Sequence, residues 1–243
     1  ERIQFTQDLL PADISGHYYY NQGTGDFDLR KGPVFAQVLM ADEINRAPPK
    51  TQCALIEAMA ENQVTIEGST FQLPEPFFVV ATRNPIETEG VYPLPEAQLD
   101  RFMIKSDMGY LNSDQEYEML KMKNSNVENS VGTVDGDFGE KLRGIHRDVH
   151  VSEPVLKYIR DLILETRNVE ELVLGASPRA GEQLLYASKA KAILNGRDYV
   201  IPDDVKAVAP RVLNHRIILS IDSELEDLKK EDVLHEILDK RVE

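Results

Sequence analysis

Short apolar runs that end in polar residues dominate the first 110 positions of the chain. The runs at residues 37–41 and 77–82 contain no charged side chain, and a third, shorter run lies at residues 102–104. Continuous apolarity over about five residues predicts a strand covered on both faces, as in a parallel α/β sheet. Residues 2–6 predict a further short strand, so the first part of the chain is expected to be of the α/β class.

Two segments alternate between apolar and polar residues, which is typical of hairpins. Residues 26–30 alternate within a Tyr-, Gly- and Asp-rich stretch at 17–33 and predict a hairpin arm. Residues 63–67 and 69–73 flank Gly68 and predict a second hairpin. Residues 23–25 (Gly-Thr-Gly) are predicted to form a turn, since the Lys-Ser or Lys-Thr pair of a phosphate loop does not follow them.

A helix is predicted after the two prolines at residues 48–49, which suit a first helical turn. Leu55, Ile56, Met59 and Ala60 then fall on one face of it. Cys53 lies in the same pattern and is expected to be a small buried side chain.

From residue 113 onward the pattern favours helices. The predicted helices begin at Ser113, which would form a capping box with Glu116, and at residues 152, 177, 202 and 224. The last of them is a charged amphipathic stretch at residues 224–240, and a polar stretch at 124–137 predicts a linker. We therefore predict an α/β domain at residues 1–110 and a helical domain at residues 111–243.

Composition excludes several classes of function. The net charge of −15 argues against a general nucleic-acid-binding protein, because phosphate contacts need clustered Lys and Arg. The apolar runs are all shorter than the roughly 20 residues that cross a bilayer, so no transmembrane segment is predicted. A single cysteine cannot form an intramolecular disulfide and fits a reducing compartment.

Two adjacent carboxylates, Asp42 and Glu43, follow the apolar run at residues 37–41. The carboxyl ends of strands in open α/β sheets are where ligands bind. A carboxylate pair there suits a nucleotide site, with one acid holding Mg²⁺ and the next orienting or deprotonating a water. The alternative is a buried strand that runs into an acidic N-cap for the next helix, and the pair alone does not decide between the two.

Several motifs resemble the MoxR family of AAA+ ATPases, and they occur in the family's order over nearly the whole chain. Residues 38–47 (VLMADEINRA) are similar to the family's Walker B strand and the turn after it. The other similar segments are residues 5–16 (FTQDLLPADISG), 30–35 (RKGPVF), 84–87 (NPIE), 90–102 (GVYPLPEAQLDRF) and 177–179 (SPR).

The resemblance implies a role for each of five residues. Asp42 would hold the magnesium, Glu43 would be the general base, and Asn84 would be the sensor-1 amide that contacts both phosphate and water. Arg101 would be an arginine finger that reaches into the neighbouring subunit, and Arg179 would be sensor 2 at the start of a lid helix. The residues themselves also allow simpler roles, in which Asn84 is a turn residue before a proline and Arg101 pairs with its neighbouring aspartate.

The resemblance also implies a fold, cofactors and partners. We expect an AAA+ P-loop NTPase core, an αβα sandwich around a parallel sheet, followed by an all-α lid. The cofactors would be ATP and Mg²⁺, and the protein would form a cytoplasmic ring homo-oligomer, a hexamer, that remodels or activates a protein substrate or a von Willebrand-type partner. Two alternatives are a non-catalytic regulatory or scaffold subunit and a magnesium-chelatase-like motor subunit.

The sequence departs from the family pattern in two places. The Gly-rich P-loop with its Lys-Ser/Thr would lie upstream of Glu1, so we expect the natural protein to be longer and these 243 residues alone to be inactive. Arg83 stands where the family usually has an uncharged residue, and it would contact phosphate or pair with Glu43.

Overall fold

A three-stranded parallel sheet forms the centre of the first of two structural units. A computed structural model describes residues 1–84, 90–125, 132 and 138–239, and it divides into Glu1–Phe102 and Met103–Glu243. The strands of the first unit are β1 (Arg2–Gln4), β2 (Gly16–Asn21), β3 (Asp26–Lys31), β4 (Val38–Asp42), β5 (Gln63–Ile66), β6 (Ser69–Gln72) and β7 (Phe78–Ala81). Its helices are α1 (Pro11–Ser15), α2 (Pro49–Glu61) and α3 (Glu96–Leu99), with 3₁₀ turns at Pro33–Phe35 and Ile44–Arg46.

The central sheet has the strand order β1-β4-β7, with β4 in the middle. Both pairings are parallel, so the carboxyl ends of the strands lie at one edge. The two predicted hairpins are confirmed as β2–β3 and β5–β6, and residues 23–25 lie in the turn between β2 and β3.

Only one face of the sheet is covered by the described part of the chain. Leu39 and Ala41 are fully buried, in a cluster that includes Phe5 and Leu55. The alternate positions of β4 and β7 face the other way, and their exposed fractions are 54% for Val38, 38% for Met40, 59% for Phe78 and 41% for Val80. The prediction that the apolar strands are covered on both faces is therefore wrong for the described residues, since period-two alternation leaves one set uncovered.

Helix α2 differs from the prediction in the residues it buries. Leu55 and Ile56 are buried as predicted, but Ala60 and Cys53 are exposed, whereas Gln52 and Ala58 are buried. The Sγ atom of Cys53 accepts a hydrogen bond from Gln98 Nε2 at 3.2 Å. The covered face thus begins at polar residues in the first turn, which apolar periodicity does not reveal.

The second unit is mainly helical. Its elements are α4 (Ser113–Asn124), α5 (Phe138–Asp148), α6 (Glu153–Glu165), β8 (Leu172–Leu174), α7 (Pro178–Leu194), α8 (Pro202–Leu213), β9 (Ile218–Leu219), α9 (Ile221–Leu225) and α10 (Lys230–Asp239). Leu162, Leu184, Leu213 and Leu234 lie in its core, one from each of α6, α7, α8 and α10, and each is at most 1% exposed. None of the described helices is long and apolar enough to cross a membrane.

The predicted starts of α6, α7 and α8 are confirmed, but two other helix predictions are wrong. The cap of α4 is Asn112 rather than Ser113, because the Asn112 side chain accepts from Gln115 N at 2.9 Å and Gln115 Oε1 accepts from Asn112 N. Residues 224–240 do not form one helix, since α9 ends and Asp227 adopts a left-handed φ of 56° before α10 begins. The predicted linker at 124–137 lies largely outside the described residues.

A buried ion pair joins α8 to the loop before it. Asp204 is 1% exposed and accepts from both terminal nitrogens of Arg197, from Ile201 N at 3.0 Å and from Asn195 Nδ2 at 3.2 Å. Burial acts to raise the pKa of Asp204, but the hydrogen bonds from Arg197 and Ile201 outweigh it, so the pKa lies below its usual range.

Replacing Asp204 by Asn should lower the urea midpoint of unfolding at pH 7, because Arg197 loses its charged partner. Since the folded-state pKa of Asp204 is lowered, its carboxylate stabilises the fold at pH values above the unfolded-state pKa of about 4. That stabilisation is lost as the pH falls through the folded-state pKa. The difference between wild type and the Asp204→Asn variant should therefore shrink below about pH 4. Asp203→Asn, an exposed change on the same helix, is the control, and equal midpoints for the two variants would contradict this role.

Candidate active site at the carboxyl edge of the sheet

At the carboxyl ends of β4 and β7, a hydroxyl group joins the carboxylate of one acid to the backbone of the next. Asp42 is the last residue of β4 and is 7% exposed, and Thr82 directly follows β7. Thr82 Oγ1 donates to Asp42 Oδ1 at 3.2 Å and accepts from Glu43 N at 3.0 Å. One side chain therefore fixes an oxygen of the first acid and the backbone of the second.

The backbone of Glu43 turns sharply at this point. Its φ of 54° and ψ of 49° lie in the left-handed region, which costs a residue with a side chain about 1–3 kcal/mol. The next amide, Ile44 N, donates to Thr82 O at 3.0 Å, so contacts with β7 hold the turn. The Glu43 side chain makes no capping hydrogen bond to the 3₁₀ turn that follows, which argues against its role as an acidic N-cap.

Each acid is paired with donors from neighbouring elements. Arg2 Nε, from β1, donates to Asp42 Oδ2 at 2.6 Å, and its side chain is 70% exposed. Gln4 Nε2, from the same strand, donates to Glu43 Oε2 at 2.7 Å, and Arg46 Nε lies 2.9 Å from that oxygen. Two guanidinium groups thus balance the charges of the two carboxylates, and an uncharged amide also holds the second.

The predicted site residues fall into three groups in the structure. Asn84 lies two residues beyond Thr82 at the carboxyl end of β7, and therefore at the same sheet edge as Asp42 and Glu43. Arg101 is half-buried just after α3, where its backbone N–H donates to Gln98 O at 3.2 Å. Arg179 belongs to the second unit and is exposed in the first turn of α7.

Four side chains in the site were not predicted from the sequence: Arg2, Gln4, Arg46 and Thr82. The signal for the first two was present, because alternate residues of a strand point to the same face and Arg2 and Gln4 are two apart. Thr82 carries no such signal, since a hydroxyl at the end of a strand usually serves only the turn. Arg83 is exposed, and Glu43 pairs instead with Gln4 and Arg46.

The oxygen atoms at this edge suit Mg²⁺, provided that other ligands complete the shell. Among the described residues no cluster of three or more His, Cys, Asp or Glu could hold a metal. Mg²⁺ is commonly bound by one or two carboxylates together with waters and substrate phosphates. Asp42 fits that mode of binding, and a cation held by its carboxylate would compete with the Arg2 guanidinium.

Comparison with known proteins gives the family. Residues 1–104 match the ATPase family associated with various cellular activities (AAA), and residues 164–237 match the AAA lid domain. The chain is 43% identical to the uncharacterized protein YeaC of Bacillus subtilis, over 98% of this chain and 75% of YeaC. It is also 43% identical to Chaperone MoxR1 of Mycobacterium tuberculosis, over 98% of this chain and 65% of MoxR1. The chain belongs to the MoxR family of AAA+ ATPases.

The fold expected of a MoxR-family protein is confirmed by a solved structure. The crystal structure of a candidate ATPase from Cytophaga hutchinsonii superposes with a TM-score of 0.90 at 44% identity, over 98% of this chain and 76% of that chain. Similarity also extends to a magnesium-chelatase subunit ChlI homolog of Methanocaldococcus jannaschii, at 30% identity over 74% of this chain and 50% of that protein. The chain thus spans between half and about three quarters of the lengths of these proteins.

Replacing Thr82 by Val keeps the shape of the side chain and removes its hydroxyl. We expect the free energy of unfolding to fall by about 1–3 kcal/mol in urea titrations, because Asp42 loses a donor and Glu43 N loses its acceptor. Thr70→Val is the matched control, since Thr70 is exposed and its Oγ1 lies 3.3 Å from Thr65 Oγ1 at the surface. A loss no larger than that of the control would show that the Thr82 hydroxyl does not hold the two acids.

Proposed function

We propose that this MoxR-family protein couples the hydrolysis of Mg-ATP to the remodelling or activation of partner proteins. The observation that carries the proposal is the pair Asp42 and Glu43 at the carboxyl edge of a parallel sheet, joined by the Thr82 hydroxyl, with Asn84 shortly after the end of the adjacent strand. In phosphoryl transfer the protein mainly positions groups and stabilises charge, and this edge presents acid, amide and hydroxyl groups suited to both tasks.

Each residue at the edge has a distinct task in this proposal. Bound magnesium would supply charge neutralisation of the phosphates, with Asp42 as its ligand from the protein. Glu43 accepts the proton of the attacking water, and Gln4 holds its carboxylate with a neutral donor that leaves the negative charge in place. Asn84 orients water and phosphate, since an amide can donate to one and accept from the other.

The two arginines complete the site from outside this edge. We assign Arg101 as an arginine finger that acts on the nucleotide of the adjacent subunit in a hexameric ring, and Arg179 as the sensor of the γ-phosphate in the lid. The domains in this proposal are residues 1–110 for nucleotide binding and 111–243 for the lid. The 243 residues contain no Gly-Lys-Ser/Thr sequence, so by themselves we expect them to bind and hydrolyse ATP poorly.

The proposed partners are proteins. A relative with 43% identity is named Chaperone MoxR1, which supports a chaperone-like activity, and a von Willebrand-type protein is one proposed partner. The net charge of −15 argues against nucleic acid as the substrate. We place the protein in the cytoplasm, where its single cysteine, Cys53, would stay reduced.

Replacing Glu43 by Gln in the full-length gene product should lower ATP turnover by about 10²–10⁴-fold and leave ATP bound, because the amide cannot accept the proton. Turnover and nucleotide affinity are measured separately, by phosphate release and by a filter-binding assay. Glu57→Gln, an exposed change on α2, is the control and should leave both unchanged. Unchanged turnover in the Glu43→Gln variant would refute its role as the base.

Replacing Arg101 by Ala should abolish turnover and leave ATP binding largely intact, because the finger acts only on charge that develops during transfer. Mixing Arg101→Ala subunits with Glu43→Gln subunits should restore activity, since the first keep their base and receive a finger from the second. Arg30→Ala, in the exposed part of β3, is the control. A mixture as inactive as its components would argue against action between subunits and favour a local contact for Arg101.

A further inference from the structure

A fully buried amide lies between two loops of the first unit. Gln52, in the first turn of α2, is 0% exposed. Its Nε2 donates to Ile44 O at 3.2 Å and to Ala47 O at 3.1 Å, both in the turn that follows Glu43. The same nitrogen lies 3.1 Å from Tyr92 O, in the segment that leads to α3, so its two protons are shared among three carbonyls.

A second contact joins the same two loops. Tyr92 N donates to Asn45 O at 2.6 Å, so the backbone of the two loops is linked directly beside the amide. Leu94, two residues further on, is 7% exposed and belongs to the same core cluster as Ile44 and Ala47. A backbone bond, a buried amide and a buried apolar side chain therefore hold the segment that enters α3 against α2 and the turn after Glu43.

Helix α2 also contacts α3 itself. Gln98 Nε2, in α3, donates to Sγ of Cys53, the residue after Gln52. Arg101 follows three residues later, and its N–H donates to Gln98 O. Two consecutive residues of α2 thus contact this region: Gln52 contacts Tyr92 before α3, and Cys53 contacts Gln98 within α3.

We infer that Gln52 is a positioning residue, which couples the turn after Glu43 to the segment that carries Arg101. The inference rests on the proposed roles of Glu43 and Arg101 in ATP hydrolysis. Its physical basis is that one amide nitrogen serves carbonyls of two different loops, so movement of one loop relative to the other breaks at least one of these hydrogen bonds. A buried carbonyl that loses its donor costs about 1–3 kcal/mol, which penalises any independent movement of the loops.

Replacing Gln52 by Met tests the coupling without reliance on activity, because Met has a similar length and no donor. In the full-length gene product, hydrogen exchange at residues 90–102, and at the Tyr92 amide in particular, should become about tenfold faster, as expected for one lost hydrogen bond. Exchange in the β5–β6 hairpin should not change. The control is Ile56→Ala, which creates a cavity beside the same helix. It should not raise the exchange rate of residues 90–102 more than that of the rest of the first unit.

The same variants in the full-length gene product show whether the coupling serves the reaction. The Gln52→Met variant should lose about tenfold in kcat while the Kd for ATP stays within about twofold, since the amide does not touch nucleotide in this proposal. The Ile56→Ala variant should keep the wild-type kcat for its folded fraction. If Gln52→Met does not fold, Gln52→Asn, which keeps the amide but is one methylene shorter, is measured in the same way.

The results separate the inference from the proposed function. If the wild-type protein does not hydrolyse ATP, the proposed function fails, and the exchange experiment still decides whether Gln52 links the loops. Unchanged exchange at residues 90–102 would overturn the coupling. Selectively faster exchange with wild-type kcat would overturn the positioning role, and faster exchange together with a lower kcat would support it.

Discussion

The chemistry at the sheet edge depends on the parallel pairing of β7 with β4, which continues beyond the ends of both strands. Thr82 N donates to Ala41 O at 3.0 Å, and Ile44 N returns a bond of 3.0 Å to Thr82 O. Because the pairing is parallel, both strands end at the same edge, and this continuation brings the Thr82 hydroxyl against Asp42 and Glu43. The left-handed backbone of Glu43 is sustained by the same bonds, since a strained conformation persists only where its surroundings fix it.

Local charge at this edge differs from that of the whole chain. A chain with a net charge of −15 would repel a nucleoside triphosphate if no positive charge stood near the acids of the site. Arg2 and Arg46 compensate them, each within hydrogen-bonding distance of one carboxylate. The Arg2 side chain is 70% exposed, and an ion pair in contact with water contributes little to stability, so its displacement from Asp42 by a cation would cost little.

Sequence patterns predicted most of the elements and the acid pair, because apolar runs, proline starts and hairpin glycines act locally. They did not predict which residues the neighbouring loops cover. Adjacent residues of α2 show the limit, since Gln52 is fully buried beneath two loops and Cys53 is exposed. The prediction of one helix at residues 224–240 was wrong for a similar reason. Apolar residues from two short helices together resembled the periodicity of a single helix, although the chain turns at Asp227.

A buried polar group at the junction of two loops has a property that an apolar contact lacks. Apolar side chains can slide past one another at little cost, because the hydrophobic effect is not directional. Hydrogen bonds weaken steeply with angle, so the donors of Gln52 restrict the carbonyls of Ala47 and Tyr92 in direction as well as in distance. A reaction that needs a general base and an arginine finger at fixed relative positions benefits from that restriction. Misplacement of catalytic groups by about 1 Å can lower the rate by about 10²-fold. This is why an amide, rather than a leucine, suits the first turn of α2 in an enzyme of the proposed kind.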